Sequence, residues 1–130
     1  MKNLKFLILA LPLLFLVPGC DDDTATPYEE PIFAEVETYT AADITGAGAK
    51  LRGTITEVGY PAYFERGFCY SQTKNEPTVD DSKVTASGNG DGDYSAAVTG
   101  LVSVTKYYFR AYVINGAGIS YGDVIPFTTK

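Results

Sequence analysis

Three side chains at alternate positions, Tyr108, Arg110 and Tyr112, are the strongest candidate for chemistry in this sequence. Alternate residues of an extended strand project from the same face, so the three would form one stripe. Tyrosine and arginine are enriched at binding hot spots because they combine contact area with hydrogen bonding. The stripe therefore predicts a face that binds a protein or a polysaccharide. The alternative is a stabilising cross-strand ladder, in which Arg110 pairs with Glu65 or stacks on a tyrosine.

The composition argues against most catalytic sites. The chain has no histidine, which a Ser-His-Asp triad, a Cys-His pair and an ordinary zinc site all require. Two carboxylate pairs, Glu29-Glu30 and Asp80-Asp81, lie in segments expected to be solvated, where burial cannot raise a carboxyl pKa for acid catalysis. Cys69 is expected to be a buried strand residue rather than a reactive thiol. The sequence thus predicts a protein that is not an enzyme and has no cofactor.

Asn89, Asp91 and Asp93 alternate like the start of a calcium-binding loop. An EF-hand places glycine at the sixth position and glutamate at the twelfth, whereas this chain has Tyr94 and Gly100 there. Because no helix is predicted on either side, we interpret the segment as a glycine-rich hairpin turn, and no metal site is predicted.

The first twenty residues have the pattern of a targeting segment. Two lysines precede an apolar run, 6–17, that is too short to span a bilayer comfortably. Residues 17–20, Val-Pro-Gly-Cys, resemble the lipobox of bacterial lipoproteins. That resemblance implies a signal peptide, 1–19, whose removal leaves Cys20 as a lipid-bearing N-terminus. The alternative is an ordinary secretory signal with an incidental cysteine.

Asp21, Asp22 and Asp23 directly follow that cysteine. An acidic cluster here resembles the surface-export signal of many Gram-negative lipoproteins, which implies an outer membrane lipoprotein exposed at the cell surface. The alternative is a plain solvated linker. Residues 20–31 have the composition of a flexible tether in either case. The membrane is therefore an expected partner, reached through acyl chains on Cys20.

The charge of the chain limits its partners. The formal net charge is −6, and it becomes −8 if Lys2 and Lys5 leave with the signal peptide. An acidic protein does not suit nucleic acid, whose phosphates require basic side chains. Apart from Cys20, Cys69 is the one cysteine, so no disulfide can form within the domain. Stability must therefore come from the hydrophobic core.

The rest of the chain has the pattern of short strands separated by turns. On the central strand, an apolar face alternates with the polar stripe, which should see water together with Ile114. The apolar face consists of Tyr107, Phe109, Ala111 and Val113. Other strands are expected at 32–40, 49–56, 63–71, 83–86, 94–98 and 119–129. About seven strands and no helix predict an all-β, immunoglobulin-like sandwich over residues 32–130.

The predicted sandwich resembles fibronectin type III domains. Leu101, Thr105 and Tyr107 match the Leu-x-Pro-x-Thr-x-Tyr pattern before strand F of that family, and 65–71 and 107–118 match motifs of a bacterial subgroup. The resemblance implies that the Tyr107 hydroxyl forms a corner with the preceding loop. The chain departs from the family in two ways. It has Ser-Val at 103–104 in place of the usual Pro-Gly, and it has no tryptophan.

These features favour a non-catalytic, lipid-anchored surface module that makes protein contacts or acts as a spacer in an envelope assembly. The alternative is a carbohydrate-binding accessory module of a glycan-utilisation system, because tyrosine rings can stack on sugars. A flat sheet face without a cleft argues against a pocket for a small metabolite in both cases.

Overall fold

The computed structural model describes residues 28–130. These residues form eight strands: β1 Glu35–Ala42, β2 Ala49–Glu57, β3 Glu65–Ser71, β4 Ser82–Thr85, β5 Gly92–Val98, β6 Lys106–Asn115, β7 Gly118–Tyr121 and β8 Ile125–Thr128. No helix of residues 28–130 could cross a membrane. The predicted signal peptide, the lipidation site Cys20 and the acidic triplet 21–23 lie outside the described residues.

The strands form two antiparallel sheets. The larger sheet has the order β8-β6-β3-β4, with β7 also pairing with β6, and the smaller sheet has the order β1-β2-β5. The central strand β6 thus lies between β3 on one side and the two short strands β7 and β8 on the other. This arrangement confirms the predicted all-β sandwich with a fibronectin type III-like order of strands.

A single hydrophobic core lies between the two sheets. The predicted inner face of β6 is confirmed, because Tyr107, Phe109, Ala111 and Val113 are all buried. The facing strand β2 contributes Leu51 and Ile55, and other strands add the remaining large side chains of the core: Val36, Phe68, Tyr94, Val98 and Phe127. The aromatic rings contact one another, with Phe68 stacked on Tyr94 at 4.9 Å between centroids. Since this core is complete within residues 34–127, the sandwich has what a domain needs to fold by itself.

The last predicted strand, 119–129, is divided into β7 and β8. At the break, β1 approaches β6, so that the Ala111 N–H donates to Thr38 Oγ1 at 3.0 Å. The Ala111 carbonyl accepts from the N–H of Gly122 at 2.9 Å. The N–H and the carbonyl of Ala111 thus bond to Thr38 and Gly122 rather than to a regularly paired strand. The strand outside β6 is therefore interrupted at Ala111, between β7 and β8. Pro126 lies on β8 at the edge of the sheet, as predicted for a residue without a backbone donor.

Candidate functional site

The predicted stripe lies on the outer face of the larger sheet, but a loop covers part of it. Residues 72–81 connect β3 to β4, and Pro77 in this loop is fully buried. Arg110 Nε donates to the Pro77 carbonyl at 2.7 Å, and the guanidinium lies 3.9 Å from the ring centroid of Tyr121. The Arg110 side chain is therefore occupied in holding the loop and does not pair with Glu65.

Tyr112 was expected to see water, and that prediction is wrong, because its side chain is completely buried. Its partner on β3 in the register is Gly67, which has no side chain to stand beside the ring. Lys83 Nζ lies 5.8 Å from the ring centroid. The Tyr112 hydroxyl donates to Glu65 Oε2 at 2.6 Å, and Lys83 Nζ forms an ion pair with the same oxygen at 2.7 Å.

This small network shifts the pKa values of Glu65 and Tyr112 in opposite directions. Hydrogen bonds from Lys83 and then Tyr112 lower the pKa of Glu65, because both stabilise the charged carboxylate. Burial raises the pKa of Tyr112, and the hydrogen bond to the anionic Glu65 raises it further. The tyrosine hydroxyl is thus a fixed donor rather than a group free to bind a ligand.

Cys69 lies on the same covered face, as a buried thiol. Its Sγ lies 3.4 Å from the Pro77 carbonyl oxygen, and burial raises its pKa to about 11. A thiol that is buried and protonated at neutral pH is a poor nucleophile. The side chain therefore belongs to the layer that packs under the loop.

The loop over this face is held by its own hydrogen bonds. Asp81 Oδ2 accepts from the Thr78 N–H at 2.8 Å, and the Val79 N–H donates to the Tyr121 hydroxyl at 3.1 Å. The Thr78 bond, followed by that from Lys74, lowers the pKa of Asp81. The outer face of the larger sheet thus corresponds to the stabilising ladder considered above, with Arg110 stacked on a tyrosine. Tyr108, under Lys106, remains half-buried.

Tyr107 joins β6 to the loop before it. The backbone N–H of Val102 donates to the Tyr107 hydroxyl at 2.9 Å, five residues upstream. Between them, Val104 has a left-handed φ of 51°. This is the position at which fibronectin type III domains usually have the glycine of Pro-Gly, and glycine is the residue that adopts such a φ without strain. Here a β-branched side chain occupies it.

An exposed apolar cluster lies at the opposite end of the sandwich from Val104. Ile32, Phe33, Tyr60 and Phe64 are 61%, 55%, 44% and 73% exposed, respectively. They come from the chain before β1 and from the loop between β2 and β3. We call these four residues the tether-end patch, because the chain preceding the sandwich joins it here.

The backbone beneath the tether-end patch is fixed by hydrogen bonds. Ile32 and Tyr60 pair through two backbone bonds of 2.7 and 2.8 Å. The buried Asn115 amide donates to the carbonyls of Ile32 at 2.7 Å and Pro61 at 3.1 Å, and so joins the end of β6 to both segments. Phe33 lies against Gly118, where an added Cβ would be 2.9 Å from the ring. The patch is thus a preformed surface on a rigid base, and nothing in the strand pattern predicted it.

The outer face of the smaller sheet carries a second, shallower feature. A groove of about 220 Å³ lies beside Tyr39, lined also by Lys50, Arg52, Asp93 and Ser95. Arg52 is held by bonds from its guanidinium to Thr40. The groove offers one tyrosine ring with charged donors and an acceptor around it. Within residues 28–130, no group of three or more acidic or cysteine side chains could hold a metal ion. Asn89 and Asp91, which alternate like the start of a calcium-binding loop, lie in the loop before β5.

Solved structures with a similar fold exist, although no protein-family model and no curated protein matches the chain. The sensor domain of the anti-sigma factor RsgI4 of Pseudobacteroides cellulosolvens, solved in solution, is 24% identical with a TM-score of 0.55, over 75% of each chain. A shorter form of that domain is 22% identical with a TM-score of 0.53, over 74% of this chain and 93% of that one. A fibronectin type III domain of the human KIAA0970 protein is 14% identical with a TM-score of 0.48, over 72% of each chain. At these identities the likeness to the sensor domain concerns the fold alone.

Proposed function

We propose that this chain is a non-catalytic, lipid-anchored surface module that binds another envelope protein through the tether-end patch. The observation that carries the proposal is the exposure of four large apolar side chains together on a hydrogen-bonded base. Single exposed apolar residues are normal on a protein surface, whereas several large ones at one end of a domain indicate an interaction site. Aromatic residues also predominate among the side chains that contribute most to binding.

The position of the patch fits an anchored protein. Cys20, if it carries the lipid, is separated from Ile32 by only eleven residues of acidic tether. A flexible chain of that length has an average end-to-end distance of about 20 Å. The end of the sandwich that carries the patch would therefore stay close to the membrane, where a partner embedded in or attached to the same membrane can reach it.

The charges around the patch indicate which charges a partner surface should carry. Glu29 and Glu30 precede it on the chain, and Glu57 and Glu35 lie opposite each other at the paired ends of β2 and β1. An apolar centre with an acidic rim suits a partner surface that is apolar with basic side chains around it. Such a rim also disfavours direct contact with an anionic lipid surface.

Affinity capture from detergent-solubilised envelopes tests this function. The bait is the chain from residue 21, compared with a Phe33→Ser/Phe64→Ser variant and with Val102→Ser as the matched control. Val102 is 54% exposed and lies at the other end of the sandwich. We expect a specific partner to be lost from the double variant, by on the order of tenfold or more, and retained by the control. Equal capture by all three would reduce the domain to a spacer.

Carbohydrate binding is the second candidate, and the groove beside Tyr39 favours it. A tyrosine ring on an open sheet face can stack on a sugar, while Arg52 and Asp93 can hydrogen-bond to hydroxyl groups. This site lies on the smaller sheet rather than on the predicted stripe of Tyr108, Arg110 and Tyr112. A glycan array with the unchanged chain and with Tyr39→Ser tests it. Glycan signals that Tyr39→Ser leaves unchanged would contradict this site.

A further inference from the structure

The edge strands of the two sheets differ in how they are protected from pairing with another strand. Unpaired edges tend to add further strands, and proteins usually block them with short strands, prolines, bulges, charged side chains or covering segments. In the larger sheet, β4 has only four residues and includes Lys83, while the other edge is split into β7 and β8 and contains Pro126. In the smaller sheet, β1 has two register shifts and is joined to β6 through Thr38.

Strand β5 has only one of these protective features, the charged side chain of Asp93. Within residues 28–130 it pairs with β2 alone, in an unbroken register of seven residues from Gly92 to Val98. It contains no proline and no lysine, and apart from Tyr94 and Val98 its side chains are small or short. Nothing lies within 4 Å of the position that a Cβ would take on Gly92, or on Gly100 just beyond the strand. The backbone groups of β5 that point away from β2 are therefore accessible to another strand.

A groove of about 480 Å³ lies where the end of β5 meets β2 and the chain before it. It is lined by residues 95–99, by residues 47–50, and by Asp43 and Thr45. Most of these side chains are alanine, glycine, serine or threonine, so a strand that pairs with this end of β5 meets few large groups.

We infer that β5 is a self-association edge, at which two copies of this chain pair their β5 strands antiparallel around a two-fold axis at Ser95. Full overlap of a strand that runs from Gly92 to Val98 requires this register, because Ser95 is its middle residue. The register places Asp93 of one copy opposite Ala97 of the other and Tyr94 opposite Ala96. Each larger side chain thus meets a small one across the axis.

The charges favour the same arrangement. Lys50 lies next to Ala97 in the register of β2 and β5. In the antiparallel pair, Asp93 of one copy therefore comes within two strand spacings, about 10 Å, of Lys50 of the other. Since the contact consists of seven residues per copy, it is a small interface and the dimer is a weak one.

Charge variants at Ala97 test the register. Sedimentation equilibrium of the chain from residue 21, at concentrations up to about 1 mM, gives the dimer dissociation constant. We expect Ala97→Asp to raise the dimer dissociation constant and Ala97→Lys to lower it, each on the order of tenfold. The reason is that residue 97 of each copy lies opposite Asp93 of the other, so one substitution changes two contacts. Thr128→Lys, on an exposed residue of β8 in the larger sheet, is the control and should have no effect. Circular dichroism verifies that each variant is folded.

Cysteine crosslinking tests the axis independently, since Cys69 is buried and is the one cysteine in the chain from residue 21. In the proposed dimer, Ser95→Cys meets its own copy at a Cβ distance of about 5 Å and should form a disulfide. Asp93→Cys meets its own copy only at about 13 Å and should not, whereas Asp93→Cys/Ala97→Cys should. A chain that stays monomeric throughout, or crosslinking of Asp93→Cys as fast as that of Ser95→Cys, would overturn the inference.

Discussion

Replacing Val104 with glycine should stabilise the sandwich, although it removes a side chain. Val104 has a φ of 51°, in the left-handed region. For an L-residue this conformation costs about 1–2 kcal/mol, with β-branched residues among the least suited to it. The Val104 side chain is 80% exposed, so its removal gives up little buried area. Its backbone N–H donates to the Lys130 carbonyl at 3.2 Å, and glycine retains that bond.

The net effect follows from two opposing contributions. Glycine removes the strain but loses more backbone entropy on folding, which costs roughly 0.5–1 kcal/mol. The free energy of unfolding should therefore rise by about 0.5–1 kcal/mol, which in a domain of this size raises Tm by about 2–6 °C.

Thermal and urea unfolding of the chain from residue 21 measure this change, with Val102→Gly as the matched control. Val102 is also exposed, but its φ is not positive. Glycine at position 102 should therefore destabilise by about 0.5–1 kcal/mol. The reasoning would be refuted if Val104→Gly destabilised the chain as much as Val102→Gly does.

Tyr107→Phe should lower the free energy of unfolding by on the order of 1–2 kcal/mol in urea titrations, because the Val102 N–H loses its acceptor. An unchanged midpoint would argue against a structural role for the corner. Glu65 and Asp81 have lowered pKa values in the folded chain, so their contribution to stability should be complete above about pH 4.5 and decline as the pH falls through the folded values. Glu65→Gln/Asp81→Asn should flatten that acid decline in unfolding measured against pH. In cells, Cys20→Ala should abolish labelling by a fatty-acid probe, and unchanged labelling would contradict the predicted anchor. Replacing 21–23 with alanine should protect the chain from protease added to intact cells, whereas equal digestion would leave the triplet as a linker.

The inner half of the fold was predictable because it depends on local patterns. Alternation of apolar residues in β6 identified Phe109 and Val113 as core, and the spacing of turns indicated a sandwich. The outer face of the same strand was not predictable, because Arg110 lies under the loop 72–81 and Tyr112 lies beside Glu65 and Lys83 of the neighbouring strands. Pro77 reaches Cys69 and Arg110 only after the chain has folded, and no periodicity in the sequence signals that contact.

The tether-end patch was missed for a related reason. Phe33 lies in the first strand expected from the sequence, whereas the structure begins β1 at Glu35 and leaves Phe33 exposed beside Gly118. Tyr60 lies between the strands expected at 49–56 and 63–71, where an aromatic residue can point inward or outward. The strand pattern carried no signal for the patch, because Ile32, Phe33 and Phe64 all lie within strands that the sequence predicts, 32–40 and 63–71. The meeting of these segments at one end depends on Asn115, whose hydrogen bonds link parts of the chain far apart in sequence.

Site-specific photo-crosslinking in intact cells tests the central claim most directly. A photo-reactive amino acid replaces Phe64 in the tether-end patch in one strain and Val102, at the far end of the sandwich, in another. We predict that the chain labelled at position 64 forms a discrete crosslinked product with one envelope protein, and that the chain labelled at position 102 does not. Crosslinks to lipid alone from position 64, or the same products from both positions, would contradict the proposal that this end of the sandwich binds a protein.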